Sequence, residues 1–288
     1  MARTKPWELS DEVWERAQPL LPPHKPRPRG GRPPREDRQM RGAIRYVLRT
    51  GLPWNALPAE IGASTTVYDR FRAWEADGFF GRLWAAGLHE FDELVGIDWE
   101  WQSLDGVMTK APFGRAATAE AEGTGHNPTD RGKHGTKRST LSEGQGLPLA
   151  VVVAGANVHD LKLAAPTLEA VVVERPAPTG EQPQHLCLDA GYDYDRPRFA
   201  AEQRGSLTHI RPRGEERAQA GSRDPLKRPR RWVVERRHSW LNRARRRLVR
   251  WEKLARTYLA FVQLACALLC FQQCARWRLG TESSQDAA

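Results

Sequence analysis

The chain has 288 residues, 40% of them apolar, which is long enough for about two domains and too rich in core-forming side chains for a largely disordered protein. Its formal charge of +10 is unevenly placed: residues 211–250 hold 15 Lys and Arg against 4 Asp and Glu, a net of +11 that leaves about −1 for the remainder. A basic stripe of that density usually faces a polyanion. Four cysteines exclude a disulfide scaffold, because Cys187 stands alone while Cys266, Cys270 and Cys274 recur every fourth residue along one helix face. Such thiols read as small buried apolar groups of a reducing compartment. The chain opens Met1-Ala-Arg-Thr-Lys-Pro, without the apolar run of a secretion signal. Its longest apolar stretch, Tyr258–Phe271, has 14 residues, short of the roughly 20 that span a bilayer. A cytoplasmic protein is expected.

Residues 7–21 carry Leu9, Val13, Ala17 and Leu20/Leu21 at helical spacing, with Ser10 as N-cap and Pro22-Pro23 as the stop. Residues 22–36 form a basic Pro/Gly linker. A helix over 38–50 ends at Gly51, a short one covers 53–61, and another runs over 64–77, capped by Ser64. Two helices about a glycine turn match the helix-turn-helix pattern, whose second helix enters the major groove. Thr65, Thr66, Tyr68 and Arg70 then become candidate contacts to phosphates or base edges.

From residue 96 the pattern becomes that of strands: 96–107 alternates, 137–143 pairs with 147–155 across a Gly-containing turn, and 185–189 and 206–210 follow. Helices are expected over 160–173, 195–204 and 230–250, with Asp160 capping the first of them and a mobile loop over 111–136. Strands first joined by hairpins and later by helices give an α/β fold with a mixed sheet. Residues 252–278 form a last, largely apolar helix that closes the core or covers a second copy, and 280–288 a disordered tail.

Two acids stand where an apolar strand meets glycine, Asp105 in Ser-Leu-Asp-Gly and Asp189 in Leu-Cys-Leu-Asp-Ala-Gly. A carboxylate there carries a desolvation cost that a bound cation would offset, and hard divalent ions take oxygen ligands. Glu235 is the only acid between Asp224 and Glu252. At 100° per residue it shares a helix face with Arg231, His238, Ser239 and Asn242. Either it relieves arginine repulsion or it carries chemistry; spacing leaves both open.

Asp105, Asp189 and Glu235, in a strand–strand–helix setting, resemble the DDE triad of ribonuclease-H-like transposases. Asp130-Arg-Gly-Lys-His-Gly-Thr-Lys-Arg, Ala156-Asn-Val-His-Asp and Arg231-Trp-Val-Val-Glu-Arg-Arg-His-Ser-Trp-Leu-Asn are similar to bacterial transposases of insertion-sequence family five. So are the N-terminal Gly31-Arg-Pro-Pro and Leu48-Arg-Thr-Gly-Leu-Pro-Trp. The sequence departs from that family's pattern at Arg228, at Asn242-Arg243 and at Ala190.

The resemblance implies a helical DNA-binding domain over 1–94, a ribonuclease-H-like catalytic domain over 95–251 and a C-terminal helix over 252–279. It further implies two Mg²⁺ ions, with Mn²⁺ as substitute, held by Asp105, Asp189 and Glu235 for cleavage and strand transfer at terminal inverted repeats. Double-stranded DNA, both element ends and target, is the partner, with a homodimer on it, in the cytoplasm at the nucleoid. Arg131, Lys133 and Lys137 in the loop, and Arg231, Arg236, Arg237, Arg243, Arg245, Arg246 and Arg247 on the basic helix, are the expected phosphate contacts. His159, His238 and Asn242 are expected just outside the acids. The competing expectation is a non-catalytic DNA-binding regulator derived from a mobile element.

Overall fold

The computed structural model describes residues 11–24, 33–113, 123–210 and 244–285, with side chains as far as Gly280 in the last segment. Helix α1 (Asp11–Ala17) passes into a 3-10 turn over Gln18–Leu20 that holds Pro19; the expected cap Ser10 lies outside the described residues. Helix α2 (Asp37–Thr50) buries Met40, Ala43, Ile44, Val47 and Leu48, one stripe at helical period. It stops at Gly51, whose φ of +77° is left-handed and whose N–H donates to Val47 O at 2.9 Å.

The helix expected over 53–61 is only a 3-10 turn, Trp54–Ala56. Pro58 accounts for this, since a residue before proline is pushed from the helical region, and Leu57 is extended. Helix α3 (Ser64–Ala76) begins at Ser64, so Ala63 holds the cap position and the expected Ser64 cap is not formed. Packing of Val67, Phe71 and Trp74 carries the helix instead. Helix α4 (Phe79–Leu94) has no counterpart in the sequence reading, although Phe80, Leu83, Trp84, Leu88 and Phe91 recur at helical spacing and are all buried.

The sheet contains β1 (Trp101–Lys110), β2 (Gly125–His126), β3 (His134–Glu143), β4 (Pro148–Gly155), β5 (Gln184–Leu188) and β6 (Ser206–Ile210). The lateral order is β4-β3-β1-β5-β6, with the short β2 also on β3. β1, β3 and β4 are antiparallel neighbours, whereas β5 and β6 run parallel to β1. Three strands joined by hairpins and two by crossovers give the mixed ribonuclease-H-like sheet. The expected helix over 160–173 resolves into a 3-10 turn, Asp160–Lys162, and a short α5 (Ala164–Glu169); α6 is Asp195–Glu202.

Helix α7 (Ala255–Gln285) runs on through two thirds of the tail expected to be without structure. The stretch Ala255–Gly280 is long and apolar enough, by length and composition, to cross a membrane, but 67% of its most apolar window is buried inside the protein. Its partners explain the burial. Gly87 of α4 packs so closely on α7 that a Cβ there would lie 3.0 Å from Cys270 Cβ, and Trp84 Nε1 donates to Pro148 O of β4 at 3.1 Å. Tyr258 of α7 meets Thr109 of β1 at 3.4 Å between their oxygens. The last helix is thus shared by the helical region and the sheet, in one hydrophobic core.

Candidate active site

β1 and β5 are parallel neighbours in the register Trp101↔His185, Gln102↔Leu186, Ser103↔Cys187. Asp105 and Asp189 each lie two residues beyond the last pair of that register, Asp105 on β1 and Asp189 just past β5. Asp105 is half-buried within β1 opposite Thr140 of β3. Asp189 is exposed just past the end of β5, where it caps a 3-10 turn, Ala190–Tyr192, accepting from Gly191 N at 2.8 Å. The strand pairing thus brings together two acids far apart in sequence.

Tyr192 closes the site from beneath. It is 1% exposed, and its hydroxyl meets Ser139 too loosely for a hydrogen bond. Burial first, and then the negative charges of Asp160, Asp105 and Asp189, hold that hydroxyl well above its ordinary pKa. One buried phenol thus senses three carboxylates. Asp160, expected as a helix cap, does not cap: His159 does, its Nδ1 accepting from Leu161 N at 3.3 Å. The Asp160 carboxylate turns inward to Lys137 Nζ at 2.9 Å.

Several expected DNA contacts change their meaning. Lys137 is not in a loop but in β3, 5% exposed. Arg246 and Arg247 are 4% and 1% exposed and so are withdrawn from phosphate. Arg246 pairs with Glu252 at 2.7 Å and donates to Leu52 O at 2.9 Å. Burial of a charge demands such partners, and an Arg run in sequence does not reveal them. Arg70 forms an ion pair with Asp37 of α2, so it ties the two helices together.

Thr65, Thr66 and Tyr68 lie exposed at the start of α3. Arg131 and Lys133 are also exposed and, with Lys110, His126 and His134, line a cleft of about 540 Å³ at the far end of β1. His159 is exposed, its ring edge-on to Tyr194. Glu235, Arg231, Arg236, Arg237, Arg243, His238 and Asn242 lie outside the described residues. Sequence reasoning missed Tyr192 and the Lys137–Asp160 pair; the glycine after Asp105 was the available signal, since Asp160 occupies the space its side chain would need.

Among the described residues no three His, Cys, Asp or Glu side chains gather as a metal site. Two neighbouring aspartates are an oxygen donor pair of the kind that hard divalent cations take, and they need a further ligand from elsewhere.

The mixed sheet, antiparallel over β4, β3 and β1 and parallel over β1, β5 and β6, has the ribonuclease-H-like layout. Residues 102–270 match the family model described as "Transposase DDE domain", and residues 9–84 match "Putative transposase of IS4/5 family". The chain belongs to the DDE transposases of IS4/5 type, enzymes of insertion sequences that act on DNA and use divalent metal ions.

It is 36% identical over 150 residues to the "Putative transposase for insertion sequence element IS402" of Burkholderia cepacia, covering 51% of this chain and 68% of that protein. It is 37% identical over 107 residues to the "Insertion element IS402 uncharacterized 16.2 kDa protein" of the same organism, covering 36% of this chain and 73% of that one. A solved structure, the Mos1 mariner paired end complex with Mn, aligns over 90% of this chain and 86% of that one, with 10% identity and a TM-score of 0.26. The expectation of a non-catalytic regulator finds no support here.

Proposed function

We propose that Asp105, Asp189 and Glu235 are the catalytic carboxylates with which this transposase cuts at the terminal inverted repeats of its element and joins the freed end to target DNA. The observation that supports the reading is the β1–β5 register, which, continued by two residues, favours Asp105 and Asp189 as neighbours. Mg²⁺, as two ions that Mn²⁺ could replace, would neutralise the phosphodiester and activate the attacking oxygen. Asp105, fixed mid-strand, and Asp189, at a capped turn, hold their carboxylates on rigid elements, as a preorganised site requires. Tyr192, kept neutral by burial and its acidic neighbours, keeps water from the space beneath them.

Duplex DNA enters along cationic and hydrogen-bonding surfaces. The exposed Thr65, Thr66 and Tyr68 at the start of α3 favour that helix as the groove reader. Arg131 and Lys133 favour the cleft beyond β1 for backbone phosphates. Arg231, Arg236, Arg237 and Arg243 are assigned the same role from sequence, and His159, His238 and Asn242 a place beside the acids. Residues 1–94 act as the DNA-binding part and 95–251 as the catalytic part. Two ends to be cut call for a homodimer on DNA, working in the cytoplasm at the nucleoid.

The test is cleavage of DNA carrying the element's ends, with Mg²⁺ or Mn²⁺. Asp105→Ala and Asp189→Asn should each lower the rate by at least about a hundredfold while binding the same DNA as tightly as the parent. Cleavage by Asp105→Ala at the parental rate would overturn the assignment.

A further inference from the structure

Behind the two aspartates lies a charge pair that metal ligation does not use. Lys137 Nζ sits 2.9 Å from Asp160 Oδ1, with the lysine side chain 7% exposed and the aspartate 31%. Asp160 is pressed against the strand that bears Asp105: a Cβ on Gly106 would lie 2.5 Å from Asp160 Oδ1 and 3.6 Å from Lys137 Cδ. Alternation along β1 puts Asp105 with Thr109 on the α7 side of the sheet. The ion pair therefore supports the next residue from the opposite face. Asp160, Asp105 and Asp189 all act electrostatically on the buried hydroxyl of Tyr192.

Asp160 is pressed on the strand of Asp105 from the other face, and an unpaired charge held there would act on whatever ion the two aspartates bind. The buried Lys137 offsets the charge of Asp160. Breaking such a pair from either side leaves an uncompensated charge, of opposite sign in the two cases. We infer that Lys137 and Asp160 form a positioning pair for the active site, holding β1 at Gly106 and fixing the charge that Asp105 and Asp189 present to a divalent cation. This rests on the reading of those two aspartates as metal ligands.

The inference is tested by Mn²⁺ binding to the full chain without DNA, followed as loss of the free-ion electron paramagnetic resonance signal. Asp160→Asn, which strands the lysine cation beside the site, should weaken Mn²⁺ binding about tenfold. Lys137→Met, which strands an extra carboxylate, should tighten it severalfold. The double variant carries neither charge and should return to within about twofold of the parent, a coupling that a double-mutant cycle isolates. Gly106→Ala leaves both charged residues in the chain yet displaces Asp160, and should mimic Asp160→Asn.

Singles that both weaken binding, with a double variant weaker still, would mean a merely structural pair and overturn the inference. So would singles that change nothing. Asp105→Ala is the control: if it binds Mn²⁺ like the parent, the reading of the metal ligands fails instead.

Discussion

Glu143, at the end of β3, is fully buried, yet three backbone N–H groups converge on its carboxylate: Leu147 at 2.7 Å, Gln145 at 2.9 Å and Asp98 at 3.3 Å. Burial outweighs these bonds and, with the nearby Asp98 charge, pushes its pKa up to about 7 from 4.5. The folded state then holds a proton that the unfolded chain releases, so stability is full below pH about 4.5 and falls as pH rises towards 7. That loss amounts to roughly 3 kcal/mol. Urea midpoints between pH 4.5 and 7.5 should show the decline. Glu143→Gln should flatten it and, by turning an amide N–H towards backbone donors, be less stable than the parent by about 1–3 kcal/mol at pH 4.5, a gap that closes as pH rises.

Single residues are also where the sequence was hardest to read. Asp105 and Asp189 stand out in sequence as carboxylates between an apolar stretch and a small residue, but β1 runs on past Asp105 to Lys110, so only Asp189 lies at a strand end. Lys137, Asp160 and Arg246 were misplaced, since burial and partners are properties of tertiary packing. Nothing in Thr-Lys-Arg-Ser announces that the lysine faces an acid from the β4–α5 connection. An arginine run reads as a solvated face until Glu252 and the Leu52 carbonyl are brought to it.

At the scale of elements, α7 dictates most of the packing. Its three cysteines are buried, and the low-dielectric setting pushes Cys274 up to about 12 and Cys270 well above its ordinary value. Thiolate being the reactive form, the folded protein should show one thiol reacting readily with a disulfide reagent, the half-buried Cys187. The other three should appear only on denaturation; a second fast thiol would contradict the packing described.

Gly87 tests the same interface from α4. Gly87→Val would drive a branched side chain into Cys270 Cβ and Phe271, and overpacking of this kind costs about 1–3 kcal/mol, readable as an earlier urea midpoint with the fold retained. Elements with clean periodicity were legible, among them α2, β6 and the core of α7. The 160–173 helix was overextended: past Glu169 the chain leaves helical geometry, and Val171, Val172 and Val173 pack on the core without it. Helix α4 was overlooked because its aromatic stripe has no polar cap to open it, only Gly78 in a left-handed conformation.

At the scale of the whole molecule, the helical region and the sheet share one core. Glu90 of α4 bonds Arg16 of α1 at 3.0 Å and Arg278 of α7 at 2.6 Å, which clasps the first and last described helices together. Removal of residues 1–94 would strip α4 from α7 and uncover the face that holds Cys266 and Cys270. An exposed apolar face of that size drives association. The truncated protein should therefore be recovered as aggregate by size-exclusion chromatography, whereas a freely folding catalytic domain would elute as a discrete species.

The placement of α7 also bears on how the enzyme comes into being. Its apolar residues leave the ribosome after every strand of the sheet, and without them neither the helical region nor the back of β1 is covered. Premature stop codons or abandoned translation should then yield inert, quickly degraded fragments and no half-built nuclease that nicks the host chromosome. A gene that makes a DNA-cutting protein gains a safeguard when the keystone of the fold is written after the strands that carry the acids.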